Sequence, residues 1–355
     1  MKNIININLN NLKYNIEEIQ RKMGKEIMCV LKSNAYNLSA RYILKYLIKF
    51  NVKFFVFNHY EEYLECSDLL KNKKVLILET VKQKYLNNIP SNVRLSINTI
   101  NDVEKYKDIN ALFHLQIDTG MNRDGIKDVE FTKKVKEIFK DRLEGIYTHY
   151  ISDKDEQDVY LKQQLKFNEH LLTSNFKIIH SAATSSLSKN IIGNYVRVGM
   201  GMYGYHTSLN LKSVVNVYSH ITSIRDVRKF ETVGYGIKYI SEQDEKIGIV
   251  PIGYYEGFKG RYMHYKKQIY PVIGKICMNH TFIRVNNETK NYSLLNIFPN
   301  NDKIDNKEEA NYYEVLTSYR NFSRIYFMEY QNDIRKIFKT TNKKGFSLKQ
   351  RTRSY

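Results

Sequence analysis

The chain has 355 residues and only three cysteines, a length that predicts two domains and a cysteine count that argues against disulfides and metal sites and favours a reducing compartment. No stretch approaches the roughly 18 consecutive apolar residues of a membrane span, and the N-terminus lacks the apolar core of a signal peptide, so we expect a cytoplasmic protein without membrane contact. The net charge of +19 is spread along the chain, which argues against nucleic-acid binding; only a basic tail over residues 339–355 gathers charge densely.

The first part of the chain alternates short apolar runs with amphipathic helical patterns. Eight such alternations within about 200 residues are typical of a parallel (β/α)8 barrel, the TIM-type α/β fold, so we predict a barrel domain over residues 1–212. The predicted strands are residues 27–32, 54–57, 75–78, 93–97, 112–117, 145–149, 177–180 and 195–198.

After Tyr205 the pattern changes to strand-like runs separated by Gly, Asn and charged turns, such as "KIGIVPIGYY" and "QIYPVIGKICM". This change predicts a second, mainly β domain over residues 213–338. Residues 313–328 are expected to close it.

Polar side chains stand at the ends of five predicted barrel strands. Any one of them alone is more often a solvated surface group. Because a barrel of this type gathers its chemistry at the carboxyl ends of its strands, five together indicate a site. The five residues are Lys32, Arg123, His149, Ser181 and Arg197.

Lysine is the residue that suggests the chemistry, because an amine in a partly apolar pocket can lose its proton and form a Schiff base with an aldehyde cofactor. A phosphate site is expected after strands seven and eight, from the Ser181 hydroxyl and the backbone N–H groups of Gly199 and Met200. Pyridoxal phosphate could therefore be held at both ends, by Lys32 and by this cradle. The segment "GMGMYG" alone is equally compatible with a close-packed turn.

Nine segments occur in the order and at roughly the spacing of motifs in the fold-type III alanine racemases, and the chain resembles that family from about residue 4 to about residue 330. Nine ordered motifs over both domains are far more specific than any one of them. The segments are "VLKSNAYN", "IDTGMNRDGI", "GIYTHY", "HSAAT", "VRVGMGMYG", "VGYGIKY", "VPIGYYEGF", "IGKICMN" and "YYEVLTS".

The resemblance implies an isomerase that interconverts L-alanine and D-alanine with pyridoxal 5'-phosphate. Lys32 resembles the lysine that binds the cofactor and serves as the base on one face of the substrate. Tyr235 resembles the base on the opposite face, which in this family comes from the partner subunit, so a homodimer with shared active sites is implied. One base on each face gives the symmetrical proton exchange that racemisation needs.

Further roles are implied by the same motifs. Arg197 resembles the arginine that faces the pyridine nitrogen and disfavours its protonation, and His149, directed toward Arg197, is expected to help polarise the tyrosine base. The resemblance also gives phosphate contacts to Tyr36, Ser181 and Tyr313, substrate-carboxylate contacts to Arg123 and the Met278 backbone, and a place on the route into the site to Tyr254.

The chain departs from the family pattern at several positions. Gln116 stands where many relatives carry a carbamylated lysine that orients the arginine matching Arg123, and Asn279 replaces the aspartate after the Cys-Met pair. His180 replaces an asparagine, Asn122 a glycine, and "NLSA" a turn with glycine and histidine. These departures leave both bases in place and bear on rate and substrate preference.

Two alternatives stay open. Racemisation of another small amino acid such as serine is the closest, because Gln116 and Asn279 lie at positions that bear on the substrate, although Tyr313 should restrict side-chain room. A non-catalytic relative that binds an acidic partner through the basic surface is the other. The paired Lys32 and Tyr235 argue against it, since such a protein has no chemical need for both.

Overall fold

The computed structural model describes residues 2–151, 157–187, 191–205, 209–298 and 312–328. The chain divides into two compact units, a barrel unit over Asn11–Val214 and a β unit made of Met1–Asn10 with Val215–Tyr355. The first ten residues thus lie in the β unit, whereas the sequence-based prediction assigns them to the barrel domain. The predicted basic tail, residues 339–355, lies outside the described residues.

The strands and helices are numbered in chain order. The strands are β1 (Ile4–Asn8), β2 (Glu26–Val30), β3 (Phe54–Phe57), β4 (Lys74–Ile77), β5 (Val93–Ile97), β6 (Leu112–Ile117), β7 (Leu143–Thr148), β8 (Ile178–His180), β9 (Tyr195–Val198), β10 (Val215–His220), β11 (Ser223–Val227), β12 (Glu245–Val250), β13 (Tyr262–Tyr265), β14 (Gln268–Ile273), β15 (Thr281–Val285), β16 (Leu294–Asn296) and β17 (Ser323–Phe327). The helices are α1 (Leu9–Met23), α2 (Ala40–Lys49), α3 (Tyr60–Leu64), α4 (Ile100–Tyr106), α5 (Val129–Phe139), α6 (Gln157–Leu171) and α7 (Tyr312–Ser318).

The barrel unit contains a parallel sheet in the order β8-β7-β6-β5-β4-β3-β2-β9, which is nearly closed. Its strands are buried over most of their length, as expected where helices cover the outer face and side chains fill the interior. Met28, Val56 and Leu76 are fully buried in one of its core clusters. The predicted barrel fold is confirmed, and all eight predicted strands are present with ends shifted by at most two residues.

The β unit contains a nine-stranded sheet in the order β11-β12-β15-β14-β13-β16-β10-β1-β17. Strand β1 pairs antiparallel with β10 (Ile4 with Tyr218) and parallel with β17 (Ile4 with Ser323). All five residues of β1 are buried. These pairings explain why the N-terminus belongs to the β unit: its partners lie more than 200 residues away along the chain, so the local pattern could not identify them.

Within the described residues, no helix combines the length and the apolar character that crossing a membrane requires.

Candidate active site

Lys32 lies directly before a left-handed turn at the carboxyl end of β2. Five consecutive residues other than glycine, Ser33 to Asn37, have φ between 53° and 69°. A left-handed conformation costs L-residues roughly 1–2 kcal/mol each, so hydrogen bonds must hold the turn. Ala35 N–H donates to Leu31 O at 2.8 Å and Asn37 N–H donates to Ser33 O at 2.9 Å. Strand β2 therefore ends at Val30, two residues before the sequence-based prediction, and the turn presents Lys32.

The Lys32 amine is electrostatically perturbed. Burial lowers its pKa, and the positive charges of Arg123 and Arg197 lower it further, whereas Glu62 and Glu79 act in the opposite direction. A lowered pKa leaves more of the amine neutral near pH 7, and the neutral amine is the nucleophilic form. The barrel thus brings Arg123 and Arg197 within electrostatic reach of Lys32.

Arg197, on β9, is almost completely buried, and backbone carbonyls hold its side chain. Nη1 donates to His180 O and Nη2 donates to Thr148 O, both at 2.7 Å. Burial lowers the pKa of this guanidinium to about 10, and its charge lies 5.1 Å from the centre of the Tyr147 ring. His149 Nδ1 lies 3.4 Å from Nη2. Burial first, then the charge of Arg197, lowers the pKa of His149 to about 3, so this imidazole is neutral at physiological pH.

A buried chain of side chains continues from Arg197 into the barrel. His180 Nδ1 lies 2.5 Å from Arg197 Nη1, and His180 Nε2 lies 2.8 Å from His114 Nδ1. Arginine only donates, so His180 Nδ1 must accept, and its proton is therefore on Nε2 and directed at His114. By the same logic His114 carries its proton on Nε2, which lies 3.8 Å from Glu144 Oε2.

The far end of this chain is anionic. Burial raises the pKa of the Glu144 carboxyl, but His114 and Arg94 outweigh it and lower the pKa to about 2. Arg94 Nε donates to Glu144 Oε2 at 2.8 Å. The hydrogen bonds thus run in one direction from Arg197 through His180 to His114, and the Glu144 carboxylate lies 3.8 Å beyond, close enough for an electrostatic interaction but not for a hydrogen bond. The sequence contained no indication of this row of buried side chains, because its members lie on different strands.

The predicted phosphate cradle is compact in the structure. A Cβ atom on Gly199 would overlap the hydroxyl of the buried Tyr36, so only glycine fits beside it. Gly199 N–H and Gly201 N–H donate to Thr184 Oγ1 at 3.3 and 3.1 Å. Met200 lies between these two donors and is buried.

Ser181, the predicted hydroxyl of the cradle, has a different contact. Its Oγ donates to Ile192 O at 2.7 Å, and the residue is fully buried. Thr184 is therefore a second candidate hydroxyl of the cradle beside Ser181, because its Oγ1 contacts two of the backbone N–H groups. The segment "HSAATSS" contains several hydroxyl residues, and only the distances to the glycine N–H groups distinguish them.

Arg123 is exposed and lies in a loop that folds back on β6. Its Nε lies 3.3 Å from Asp124 Oδ2. Gln116, buried on β6, donates from Nε2 to Asp124 O at 3.2 Å and accepts from Tyr147 Oη at 2.7 Å. Gln116 thus contacts the backbone of the arginine loop and gives the loop a neutral support where the family resemblance implies a carbamylated lysine.

In the β unit, Tyr235 lies at the tip of a tight turn. Flanking glycines Gly234 and Gly236 have φ of 76° and 73°, and Val233 N–H donates to Tyr239 O at 3.1 Å across its base. A left-handed backbone on both sides of the tyrosine favours glycine at both positions. The Tyr235 side chain is 69% exposed, so within this chain it projects into solvent.

Tyr254 and Met278 line a surface groove of about 380 Å³. Their loops are joined by backbone hydrogen bonds, from Tyr254 N–H to Cys277 O at 3.1 Å and from Tyr255 N–H to Met278 O at 3.0 Å. Tyr313 lies in α7 and is 41% exposed. The predicted substrate-side residues of the β unit therefore lie on its surface.

The comparisons with known proteins agree on one family. The model "Alanine racemase, N-terminal domain" matches residues 7–207, and "Alanine racemase, C-terminal domain" matches residues 214–326. Alanine racemase from Fusobacterium nucleatum is 33% identical and covers 82% of this chain and 88% of its own length. Alanine racemase from Borreliella burgdorferi is 30% identical over 80% of this chain and 84% of its own length.

Solved structures agree in fold. The crystal structure of alanine racemase from E. faecalis has a TM-score of 0.84 at 23% identity and covers 92% of this chain and 98% of its own. Alanine racemase from Bartonella henselae, solved with covalently bound pyridoxal phosphate, has a TM-score of 0.83 at 20% identity over 92% of this chain and all of its own.

Proposed function

This chain belongs to the alanine racemase family, and from that premise we propose that it interconverts L-alanine and D-alanine with pyridoxal phosphate by a two-base mechanism. The predicted family, fold and enzyme class are confirmed. The observation that carries the mechanism is the grouping at one end of the barrel: a lysine amine with a lowered pKa, a buried arginine and a glycine cradle.

The residues of the barrel fit the cofactor. The Lys32 amine would bind its aldehyde, and Tyr36, Thr184 and the backbone at Gly199 to Gly201 would hold its phosphate, where the absence of a Cβ on Gly199 leaves room for the tyrosine hydroxyl. Arg197 would face the ring nitrogen. When bound, pyridoxal phosphate supplies the electron sink that acidifies the Cα hydrogen of an amino acid.

The residues around Arg197 fix the orientation of its guanidinium group through hydrogen bonds. Arg197 is positively charged and its two terminal nitrogens are occupied by the carbonyls of Thr148 and His180. A guanidinium fixed in this position would donate a hydrogen bond to the ring nitrogen and would not protonate it. His149 is held neutral beside Arg197, so it can accept a hydrogen bond or help to polarise the tyrosine base without adding a second positive charge.

Proton transfer is assigned to two bases. Lys32 would hold or release a proton on one face of the substrate, and the partner subunit's Tyr235 would do so on the other. We propose a homodimer for this reason. The high exposure of Tyr235 on a rigid turn supports the proposal, because a side chain prepared for another subunit should project from its own.

Substrate recognition is assigned to Arg123 and the Met278 backbone, which would hold the carboxylate, with Tyr254 on the route into the site and Tyr313 restricting side-chain size. Gln116 supports the Arg123 loop through the Asp124 carbonyl. We place the activity in the cytoplasm, where L-alanine is available as substrate.

The test is direct. The chain is purified with pyridoxal phosphate, reduced with borohydride and mapped by peptide mass spectrometry, and the unreduced protein is given L-alanine or L-serine and followed by chiral chromatography. We expect a reduced adduct on Lys32 and conversion of L-alanine toward an equal mixture, with slower conversion of serine. Faster conversion of serine than of alanine would show that serine is the preferred substrate. An adduct on Lys32 without conversion of either amino acid would contradict the proposed reaction.

A further inference from the structure

Glu62 joins two segments of the barrel unit that are separated in sequence. Its Oε1 accepts a hydrogen bond from Ser33 N–H at 2.6 Å, the amide directly after Lys32. Its Oε2 accepts from Asn58 N–H at 3.0 Å and from His59 N–H at 3.3 Å, at the start of α3. One carboxylate therefore ties the left-handed turn to the loop after β3.

The next βα unit but one shows what an ordinary helix cap does. Asp102 in α4 accepts from Asn98 N–H at 2.9 Å and Thr99 N–H at 3.0 Å with one oxygen, as Glu62 does at α3. Its other oxygen accepts from the Thr80 hydroxyl at 2.8 Å. Capping explains the Oε2 contacts of Glu62. It does not explain the contact of Oε1 with Ser33.

The left-handed turn needs support of this kind. Its first N–H groups lack partners within the turn, as at the start of any helix, and each residue in the left-handed region is costly. A second restraint joins the turn to the helix that follows it, since Asn34 Oδ1 accepts from Ala40 N–H, the first residue of α2, at 2.8 Å. A hydrogen bond to a charged carboxylate is about twice as strong as a neutral one, so Glu62 supplies the stronger of these two restraints.

We propose that Glu62 is a positioning residue that holds the left-handed turn in the conformation that presents the Lys32 amine and the Tyr36 hydroxyl to the cofactor. Lys32 immediately precedes the turn, and Tyr36, which has a left-handed backbone with φ of 55°, places its hydroxyl beside Gly199. Relaxation of the turn would displace both groups at once. The role toward the cofactor rests on the proposed function, whereas the restraint on the turn does not.

The experiment compares four variants. Glu62→Ala removes both sets of contacts, and Glu62→Gln keeps one accepting oxygen. Glu61→Ala is the matched surface control, since Glu61 pairs with Lys82 at 2.6 Å. Asp102→Ala is the matched capping control. Amide hydrogen exchange over residues 31–38 is measured without cofactor, and the dissociation constant of pyridoxal phosphate is then measured from its absorbance.

Loss of a hydrogen bond to a charged group predicts about 10- to 100-fold changes. Glu62→Ala should raise both the exchange rate of residues 31–38 and the cofactor dissociation constant by such factors, with Glu62→Gln between it and the wild type. Glu61→Ala and Asp102→Ala should leave both quantities within about threefold of the wild type. If the loss of helix capping alone explained the effect of Glu62→Ala, Asp102→Ala would change both quantities to a similar extent.

Three outcomes would overturn the inference. If Glu62→Ala behaves like the two controls while the wild type binds the cofactor, Glu62 has no positioning role and the proposed function stands. If exchange rises but the dissociation constant does not, the turn is restrained for folding only. If the wild type fails to bind pyridoxal phosphate, the proposed function fails, and the role of Glu62 toward the cofactor fails with it.

Discussion

The two units present their candidate residues in opposite ways. In the barrel unit, Arg197, His180 and Gln116 are buried and each has several hydrogen-bond partners. In the β unit, Tyr235, Tyr254 and Met278 are more than half exposed. Arg197, His180 and Gln116 are held by hydrogen bonds within their own unit, whereas Tyr235, Tyr254 and Met278 are exposed on loops held by backbone hydrogen bonds. In the proposed homodimer, the partner subunit would cover these exposed side chains.

Acid should act first on the barrel. His114, His149 and His180 have pKa values lowered from an ordinary 6.5, all chiefly by burial. The unfolded chain therefore binds protons first, so stability that is fully present above about pH 6.5 falls as the pH decreases, by up to about 1.4 kcal/mol per pH unit for each group, and for His149 the fall continues to about pH 3. Urea unfolding followed by circular dichroism from pH 8 to pH 4 checks this.

The β unit supplies the control for acid. His220 is also buried, and burial lowers its pKa to about 4. His220→Asn should leave the loss of protection in the barrel strands unchanged when hydrogen exchange is followed against pH. If the barrel strands keep their protection at pH 4.5 while those of the β unit lose it, the contrast between the units is wrong.

Breaking the buried chain should be the next largest effect. His180→Leu removes Nδ1, which accepts a hydrogen bond from Arg197, and Nε2, which donates one to His114. Because both buried partners are then left with one hydrogen bond fewer, the free energy of unfolding should fall by about 3 kcal/mol. Tyr235→Phe, an exposed change of similar size, should alter the free energy of unfolding by less than about 0.5 kcal/mol. Equal effects of the two substitutions in urea unfolding would contradict this view.

Gln116→Ala should have a smaller effect, about 1–2 kcal/mol, because it leaves Tyr147 Oη and Asp124 O each without one partner. Since the loop carries Arg123, the KM for alanine should rise more than kcat falls. Gln243→Ala, at an exposed position of the β unit, is the matched control and should change neither the unfolding midpoint nor KM. An unchanged KM in Gln116→Ala would show that Gln116 does not contribute to substrate binding through the Arg123 loop.

Asn279→Asp should have the smallest effect. Asn279 Nδ2 donates to Glu256 Oε1 at 2.9 Å at the surface, and an aspartate would place two carboxylates there. Because solvent and salt screen exposed charges, we expect the free energy of unfolding to fall by less than about 1 kcal/mol, and this difference should shrink as salt is added. Asn279→Ala, which removes the hydrogen bond without adding a charge, should be insensitive to salt in the same unfolding measurement.

The sequence predicted the barrel well because periodicity is a local property. All eight strands could be located from apolar runs, and Lys32 and Arg197 from their positions near strand ends. The pairing of β1 with β10 and β17 could not be predicted, since it depends on contacts between distant segments.

The finer features of the site depended on geometry. Nothing in "KSNAYN" requires five residues in the left-handed region, apart from the tolerance of Asn34 and Asn37 for it. Thr184 could not be identified as a second hydroxyl beside Ser181 without the distances to Gly199 and Gly201. The partners of His180 and Glu62 lie on other elements, so their roles became visible only when the chain was folded.

The most direct measurement of the two-base mechanism is the exchange of the Cα hydrogen with solvent deuterium, started separately from L-alanine and from D-alanine, in the wild type and in Tyr235→Phe with pyridoxal phosphate bound. If Lys32 and the partner subunit's Tyr235 act on opposite faces, the variant should lose exchange from one enantiomer by about 10²–10⁴-fold and keep much of it from the other. Equal loss from both enantiomers, or no loss from either, would contradict two bases on opposite faces.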